Sequence, residues 1–181
     1  MQPPLLIAQS WSSFDAWLRS APEAVPEGLK GPAHDDEIRI LEGALGVTLP
    51  ADFIASLKIH NGQADRLHGC FGGEILLDVK GILTEWAGWR DLIVEGALED
   101  IPSDPDIGVK DDWFNIRWIP FTKDGLGNCL CLDLDPAPSG TEGQVIRVWH
   151  DDARRERLAR NYEQWLERMV KELTGIGQTA E

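Results

Sequence analysis

The sequence predicts an α+β chain: an antiparallel β-meander with helices before and after it. Three observations carry this reading. Residues 117 to 150 read as three consecutive strands joined by short connections, which favours antiparallel neighbours. Apolar residues spaced three and four apart mark helices on both sides of that stretch. The length of 181 residues is that of one domain, enough to bury roughly 70% of the unfolded surface. No internal repeat or second domain is visible, so residues 1–181 are read as one unit whose helices cover the sheet.

The first strand is expected over Arg117 to Thr122, and the tetrad Asp124-Gly125-Leu126-Gly127 supplies the positive-φ positions of a tight reversal. The second runs from Asn128 to Asp135, with Leu130, Leu132 and Leu134 on one face and Cys129, Cys131 and Asp133 on the other. A loop rich in Pro, Gly and Ser leads to the third, Gln144 to His150, where Ile146 and Val148 oppose Val145, Arg147 and Trp149.

Before the sheet, Ser12 to Arg19 has the spacing of a short helix, with Ser12 and Asp15 in the form of a capping box. Residues 20 to 33 are a Pro- and Gly-rich loop. Asp35-Asp36-Glu37 opens a helix with carboxylates at its positive end; Ile38, Leu41 and Leu45 form its buried stripe and Gly46 stops it. Leu49-Pro50 starts the next helix, with proline in the first turn; Phe53, Ile54 and Leu57 face inward, and Asn61-Gly62 ends it. Glu74 to Leu77 has the look of a strand. Asp78 caps a further helix with Ile82, Leu83, Trp86, Ile93 and Val94 as its apolar positions, weakened by Gly81 and Gly88. Residues 99 to 112 are acidic, Pro-rich and expected to be a loop or mobile excursion. After the sheet, Asp151-Asp152-Ala153 is expected to lead into a closing helix with Leu158, Tyr162, Trp165, Leu166, Met169 and Leu173 inward and Gly175 as its stop; the residues beyond should fray.

Composition restricts the functions available. Acidic residues outnumber basic ones 31 to 17, a net charge of −14, so direct binding to DNA, RNA or an anionic membrane is disfavoured. A basic protein would be steered in by such a field, although surplus acid also serves solubility alone. The four-residue apolar run Leu5-Leu6-Ile7-Ala8 is far short of the roughly 20 residues a membrane span needs. There is no basic, apolar secretory start, and three cysteines without a pairing pattern suggest reduced thiols and a cytoplasmic address.

Four groups of residues, taken in order, resemble the SUKH superfamily, which includes fungal cell-wall-assembly regulators and bacterial immunity proteins. They are Leu49-Pro50-Ala51-Asp52 with His60-Asn61-Gly62-Gln63; Trp118-Ile119-Pro120-Phe121; Gly127-Asn128 with Leu132-Asp133-Leu134-Asp135-Pro136; and Gly143-Gln144-Val145-Ile146 running to His150-Asp151, ahead of Tyr162 and Trp165-Leu166. The likeness covers about residues 35 to 173, leaving the helix at 12–19 and the loop at 20–33 as an extension. It implies an α+β fold with a central, largely antiparallel sheet flanked by helices. It also implies a protein-binding function without a catalytic centre; bacterial members commonly bind and neutralise a polymorphic toxin, often a nuclease or deaminase. The chain departs from a short family member through the 99–112 insertion and the N-terminal segment.

Each candidate for chemistry has a simpler explanation. Cys129 and Cys131 share a strand face with Asp133, a Cys-x-Cys of the kind that holds zinc or copper, but no second pair at ligand spacing joins them, and small buried thiols suit a strand face. His150-Asp151-Asp152 with Asp133 and Asp135 is the material of a hydrolase, but strand alternation scatters it, and Asp151 and Asp152 sit where a helix cap is expected. His60 sits at a helix C-terminus, where an imidazole is favoured. No nucleophile elbow or phosphate-binding glycine loop occurs. Of the eight tryptophans, Trp17, Trp118 and Trp165 have the spacing of core, whereas Trp86, Trp89, Trp113 and Trp149 are candidates for a surface; an aromatic patch rimmed by acids suits a basic protein, or nearly as well a carbohydrate.

The expectation is therefore a cytoplasmic, non-enzymatic protein-binding domain with no cofactor or metal. The leading form is an immunity protein occluding a basic toxin domain; the alternatives are a regulator or scaffold of the cell-wall-assembly kind and, last, a small hydrolase. Partner-binding positions carried from the resemblance are Asn61, Gly62, Trp118, Asp124, Asn128, Asp133 and His150.

Overall fold

The computed structural model describes residues 5–64 and 67–175. Its elements in chain order are α1 (Leu5–Ser20), α2 (Asp35–Leu45), α3 (Ala51–Leu57), β1 (Ile75–Leu76), α4 (Val79–Val94), β2 (Asp104–Pro105), β3 (Trp118–Pro120), β4 (Thr122–Lys123), β5 (Cys129–Asp133), β6 (Gln144–Val148), β7 (Arg154–Ala159) and α5 (Tyr162–Thr174). Five strands form one sheet in the order β2-β7-β6-β5-β3, and β1 pairs with β4 in a second. Every pairing is antiparallel except β2 with β7. The fold is α+β, as the meander implied.

The alternation along β5 decides where the cores lie. Leu130, Leu132 and Leu134 join Val145 in a large core closed by α1, α2, α3 and α5. Cys129 and Cys131 point the other way, into a smaller core with Trp118, Ile146, Val148, Trp89, Phe114 and Val109. Every residue of β5 is buried, so the sheet is covered on both faces. The large core is aromatic: Phe71 lies 5.1 Å from Phe14 and 5.4 Å from Trp165, and Phe121 lies 4.9 Å from Trp165, each pair tilted or edge-on. A polar chain runs through it: Trp11 Nε1 donates to Ser56 Oγ at 2.9 Å, and that hydroxyl bonds the Tyr162 hydroxyl at 2.9 Å, joining α1, α3 and α5.

Caps fix the helix ends. The Glu37 carboxylate accepts from the His34 backbone N–H at 2.8 Å, and Gly46 closes α2 at φ +67°. Asp78 accepts from Gly81 N–H and opens α4; Asn161 accepts from Gln164 N–H and opens α5.

Several expectations are corrected. Helix α1 begins at Leu5 and buries Ile7, Trp11 and Phe14, so Ser12 and Asp15 lie in its interior and form no capping box; Trp17 is only partly buried. Pro50 is the cap residue before α3, and that helix stops at Leu57, short of Asn61-Gly62. The expected strand over Arg117 to Thr122 breaks at Phe121, which drops into the large core while β3 pairs with β5 and β4 with β1. The next two strands end at Asp133 and Val148, two residues earlier than expected. Asp151-Asp152-Ala153 leads into strand β7, not a helix; Asp152 accepts from Arg154 N–H, and Leu158 belongs to the strand. The 99–112 segment is anchored as well as irregular, since β2 pairs with β7 and Val109 enters the smaller core. Trp86 and Trp89 are buried, and Val94 is exposed. The fraying expected at the C-terminal end falls on residues 176–181, outside the described residues.

Candidate functional site

The seven residues carried from the family resemblance fall into three separate places. Asp124, Asn128 and His150 come together at the β4–β5 turn. Asp124 Oδ1 accepts from the backbone N–H of Leu126 and Asn128, and its Oδ2 accepts from Asn128 Nδ2. Partial burial works against this carboxylate, but the bonds from Asn128 and Leu126 leave its pKa below the ordinary value. Asn128 Oδ1 in turn accepts from His150 N–H at 3.0 Å and lies 3.1 Å from His150 Nδ1. Gly127, at φ +94°, turns the chain beneath the imidazole. This is a chain of bonds that closes a hairpin and ties it to the end of β6.

Asn61 and Gly62 sit at the start of α4. Asn61 Oδ1 accepts from Val79 N–H at 2.9 Å, so Asn61 and Asp78 together satisfy two donors of that helix's first turn. Gly62 has φ +71°, and a Cβ there would collide with the backbone of Leu77 and Asp78. Trp118 and Asp133 are register partners across β3 and β5. Burial raises the Asp133 pKa, countered by bonds from Asp135 N–H and the Gln144 amide at 2.7 Å. The Trp118 indole N–H makes no hydrogen bond of ordinary geometry but still favours that charge.

The chemical alternatives do not assemble. Asp133 and Asn128 stand at opposite ends of β5, roughly 16 Å apart at the usual strand rise, so Asp133 cannot meet His150. Cys129 and Cys131 have sulfurs 3.5 Å apart, both buried and unpaired in disulfides. Among the described residues, no three His, Cys, Asp or Glu side chains gather as a metal site would require. His60 bridges elements, its Nε2 3.1 Å from Asp15 on α1 and its Nδ1 3.0 Å from Lys30 O, so its place is set by these contacts more than by a helix dipole.

The surface feature with the most chemical character lies elsewhere, between the end of α4 and the turn before β3. A groove of about 470 Å³ has Ile93, Leu98, Trp113 and Phe114 as its floor. Glu99, Asp100, Asp111 and Asp112 stand around it, and no Lys or Arg lines it. The floor is the outer layer of the smaller core: Trp89 stacks on Phe114 with ring centroids 4.6 Å apart and planes 3° from parallel. The far wall is held by Asp111, which accepts from Ser103 N–H at 3.0 Å and Ser103 Oγ at 2.8 Å; those bonds lower its pKa. Asp112 accepts from Asn115 Nδ2 at 2.8 Å.

Arg155 fixes this floor from beneath. It is fully buried, its guanidinium 4.7 Å from the Trp113 ring centroid, and it donates to the carbonyls of Trp113, Asp152 and Arg154 at 2.6 to 3.0 Å. Burial lowers its pKa, because no carboxylate bonds it. Nothing in the sequence marks this residue, since arginines are rarely buried. The acidic run and Trp113 were visible as separate signals; the fold brings them together. Trp149, the other surface candidate that stays half-buried, already has Arg147 and Arg154 guanidinium groups 5.1 and 5.2 Å from its ring and donates to Glu156.

Comparison with known proteins gives a consistent picture. The family described as SMI1 / KNR4 family (SUKH-1) matches residues 32–168. The "Cell wall biosynthesis/cell cycle regulator smi1" of Schizosaccharomyces pombe is 30% identical over 180 residues, covering 92% of this chain and 35% of its own. The "Glucan synthesis regulatory protein" of Neurospora crassa is 27% identical over 205 residues, covering 93% and 38%. The "Cell wall assembly regulator SMI1" of Saccharomyces cerevisiae is 24% identical over 193 residues, covering 87% and 38%. The chain thus spans little more than a third of the length of each of these relatives.

Proposed function

This chain belongs to the SMI1 / KNR4 family (SUKH-1), and we propose that it acts as a non-enzymatic, protein-binding regulator of the kind its fungal relatives are named for. The observation that carries the reading is that relatives named as cell-wall regulators align along about nine-tenths of the chain. The bonding of its polar residues supports it: Asn61, Asp124, Asn128, Asp133 and Arg155 are all engaged in holding the fold. The reading concerns this domain alone, because the relatives are much longer.

The test is disruption of the gene in its source organism, followed by growth on wall-perturbing dyes and wall-degrading enzymes. Increased sensitivity that this chain restores supports the regulatory reading; unchanged growth overturns it. A His150→Ala chain should restore growth equally, whereas a failure of that variant, if it folds, would return the hydrolase alternative.

A second reading, neutralisation of a basic nuclease or deaminase toxin, is favoured by the net charge of −14 and the acid-rimmed groove. A tagged chain eluted by salt from its native lysate should release one dominant basic toxin under this reading, and wall-associated or signalling proteins under the first. We also propose a reducing, cytoplasmic setting, in keeping with three buried free cysteines; among the described residues no helix is long and apolar enough to cross a membrane.

A further inference from the structure

The groove beside the smaller core combines three properties that arise from different parts of the chain. Its charge has one sign, with four carboxylates and no cation among its lining residues. Two of those carboxylates, Glu99 and Asp100, make no hydrogen bond or ion pair among the described residues, whereas Asp111 and Asp112 are bound to Ser103 and Asn115. Its floor is apolar and rigid, seated on the stacked Trp89 and Phe114. One of its lining residues also exposes aliphatic surface, Ile101 being 37% exposed.

We infer that this groove is the docking site for an extended, lysine- or arginine-rich segment of a partner protein that carries aliphatic side chains between its cations. The inference rests on the protein-binding reading above and names the surface and the chemistry of the partner. Charge complementarity selects a cation: a phosphate backbone is repelled, and Glu99 and Asp100 are exposed with no ion-pair partner among the described residues. The apolar floor and Ile101 select a peptide over a small polyamine, because a polyamine would leave Ile101, Leu98 and the half-buried Trp113 ring in water. The volume of about 470 Å³ accommodates a few side chains, so the contact is a short linear segment and not a folded domain face.

The test titrates the full chain into a fluorescein-labelled peptide of alternating Lys-Arg pairs and single leucines, read by anisotropy at low and physiological salt. The Glu99→Gln/Asp100→Asn chain should bind about tenfold more weakly. Asparagine tolerates the φ of +58° at position 100, so this variant keeps its turn. The Glu23→Gln/Glu27→Gln chain, with the same change in net charge at exposed positions away from the groove, should differ from the parent by less than about twofold. Replacing the peptide's leucines by serine should weaken it severalfold. The inference is overturned if the peptide does not bind, if both charge variants lose affinity equally, if the serine peptide binds as well, or if spermine binds as tightly. A chain that restores wall resistance yet ignores the peptide removes the groove and leaves the regulatory reading; one that binds the peptide and restores nothing does the reverse.

Discussion

The two faces of the central sheet are closed by different means. One is covered by α1, α2, α3 and α5, helices with an interlocking aromatic core and a satisfied polar chain through Trp11, Ser56 and Tyr162. The other is covered by the end of α4 and by the irregular 104–114 segment, held by the two-residue pairing of β2 with β7 and by the buried Arg155. The first face is sealed by apolar area, and stability is what it supplies. The second depends on directional bonds to backbone carbonyls and leaves an acid-rimmed groove open at its edge. The division suggests why a surface for recognition sits there: its loops can vary without disturbing the larger core.

Substitutions can break this contrast in graded steps. Trp165→Ala on the helical face removes a fully buried ring that contacts Phe71 and Phe121, and should cost about 3–5 kcal/mol in urea unfolding. A loss under about 1 kcal/mol would show that this face is not where stability resides. Arg155→Met on the other face leaves the Trp113, Asp152 and Arg154 carbonyls without their donor and should cost about 2 kcal/mol, with peptide affinity at the groove falling in parallel. An equal or higher urea midpoint would mean that burying the cation costs more than its bonds return.

Phe114→Leu sharpens the comparison further. It abolishes the stack with Trp89 at a cost of about 1 kcal/mol while keeping most of the apolar volume, so affinity for the labelled peptide should drop with a smaller shift of the unfolding midpoint than Arg155→Met gives. The smallest effect concerns acid. The Asp135 carboxylate is held below its ordinary value of 3.8 by Lys110, whose ammonium lies 2.7 Å away, and by Asn115. Folded Asp135 therefore binds fewer protons than unfolded Asp135, and its contribution is present above pH 3.8 and lost as pH falls through the lowered value. Asp133, raised by burial, has the opposite sign: folded stability declines as pH rises from 3.8 through its raised value. Asp135→Asn should flatten the acid limb of a stability-versus-pH curve by less than about 1 kcal/mol; a limb that stays as steep would assign it to other carboxylates.

The same contrast separates what could be read in the sequence from what could not. On the helical face, Leu130, Leu132 and Leu134 alternate cleanly, α2 and α5 follow their apolar stripes and end at glycine, and α4 opens at its Asp78 cap. Even there, α1 runs longer than its spacing predicts, because Ile7 and Trp11 lie before the serine that resembles its cap. On the other face the signals are weak or misleading. Strand β7 reads Arg-Arg-Glu-Arg-Leu-Ala, charged enough to pass for a helix flank, because one of the two residues it buries is an arginine. Strand β2 is two residues long and half proline. The family-matching residues Asn61, Gly62, Asp124, Asn128 and His150 were legible as words, yet their hydrogen bonds and backbone angles give them work inside the fold. The groove needed tertiary structure, since Ile93 and Trp113 meet only when the chain returns past β7.

The two-residue parallel pair between β2 and β7 has a kinetic consequence. The amides of Asp104 and Asp106 are tied to Ala153 and Arg155 carbonyls by two bonds at the sheet margin, while Leu132 sits in a ladder bonded on both sides. In deuterated solvent, the former should exchange through a local opening that leaves the central ladder protected. The wall of the groove would then part and reclose many times for each global unfolding, admitting a chain segment laid in from the side.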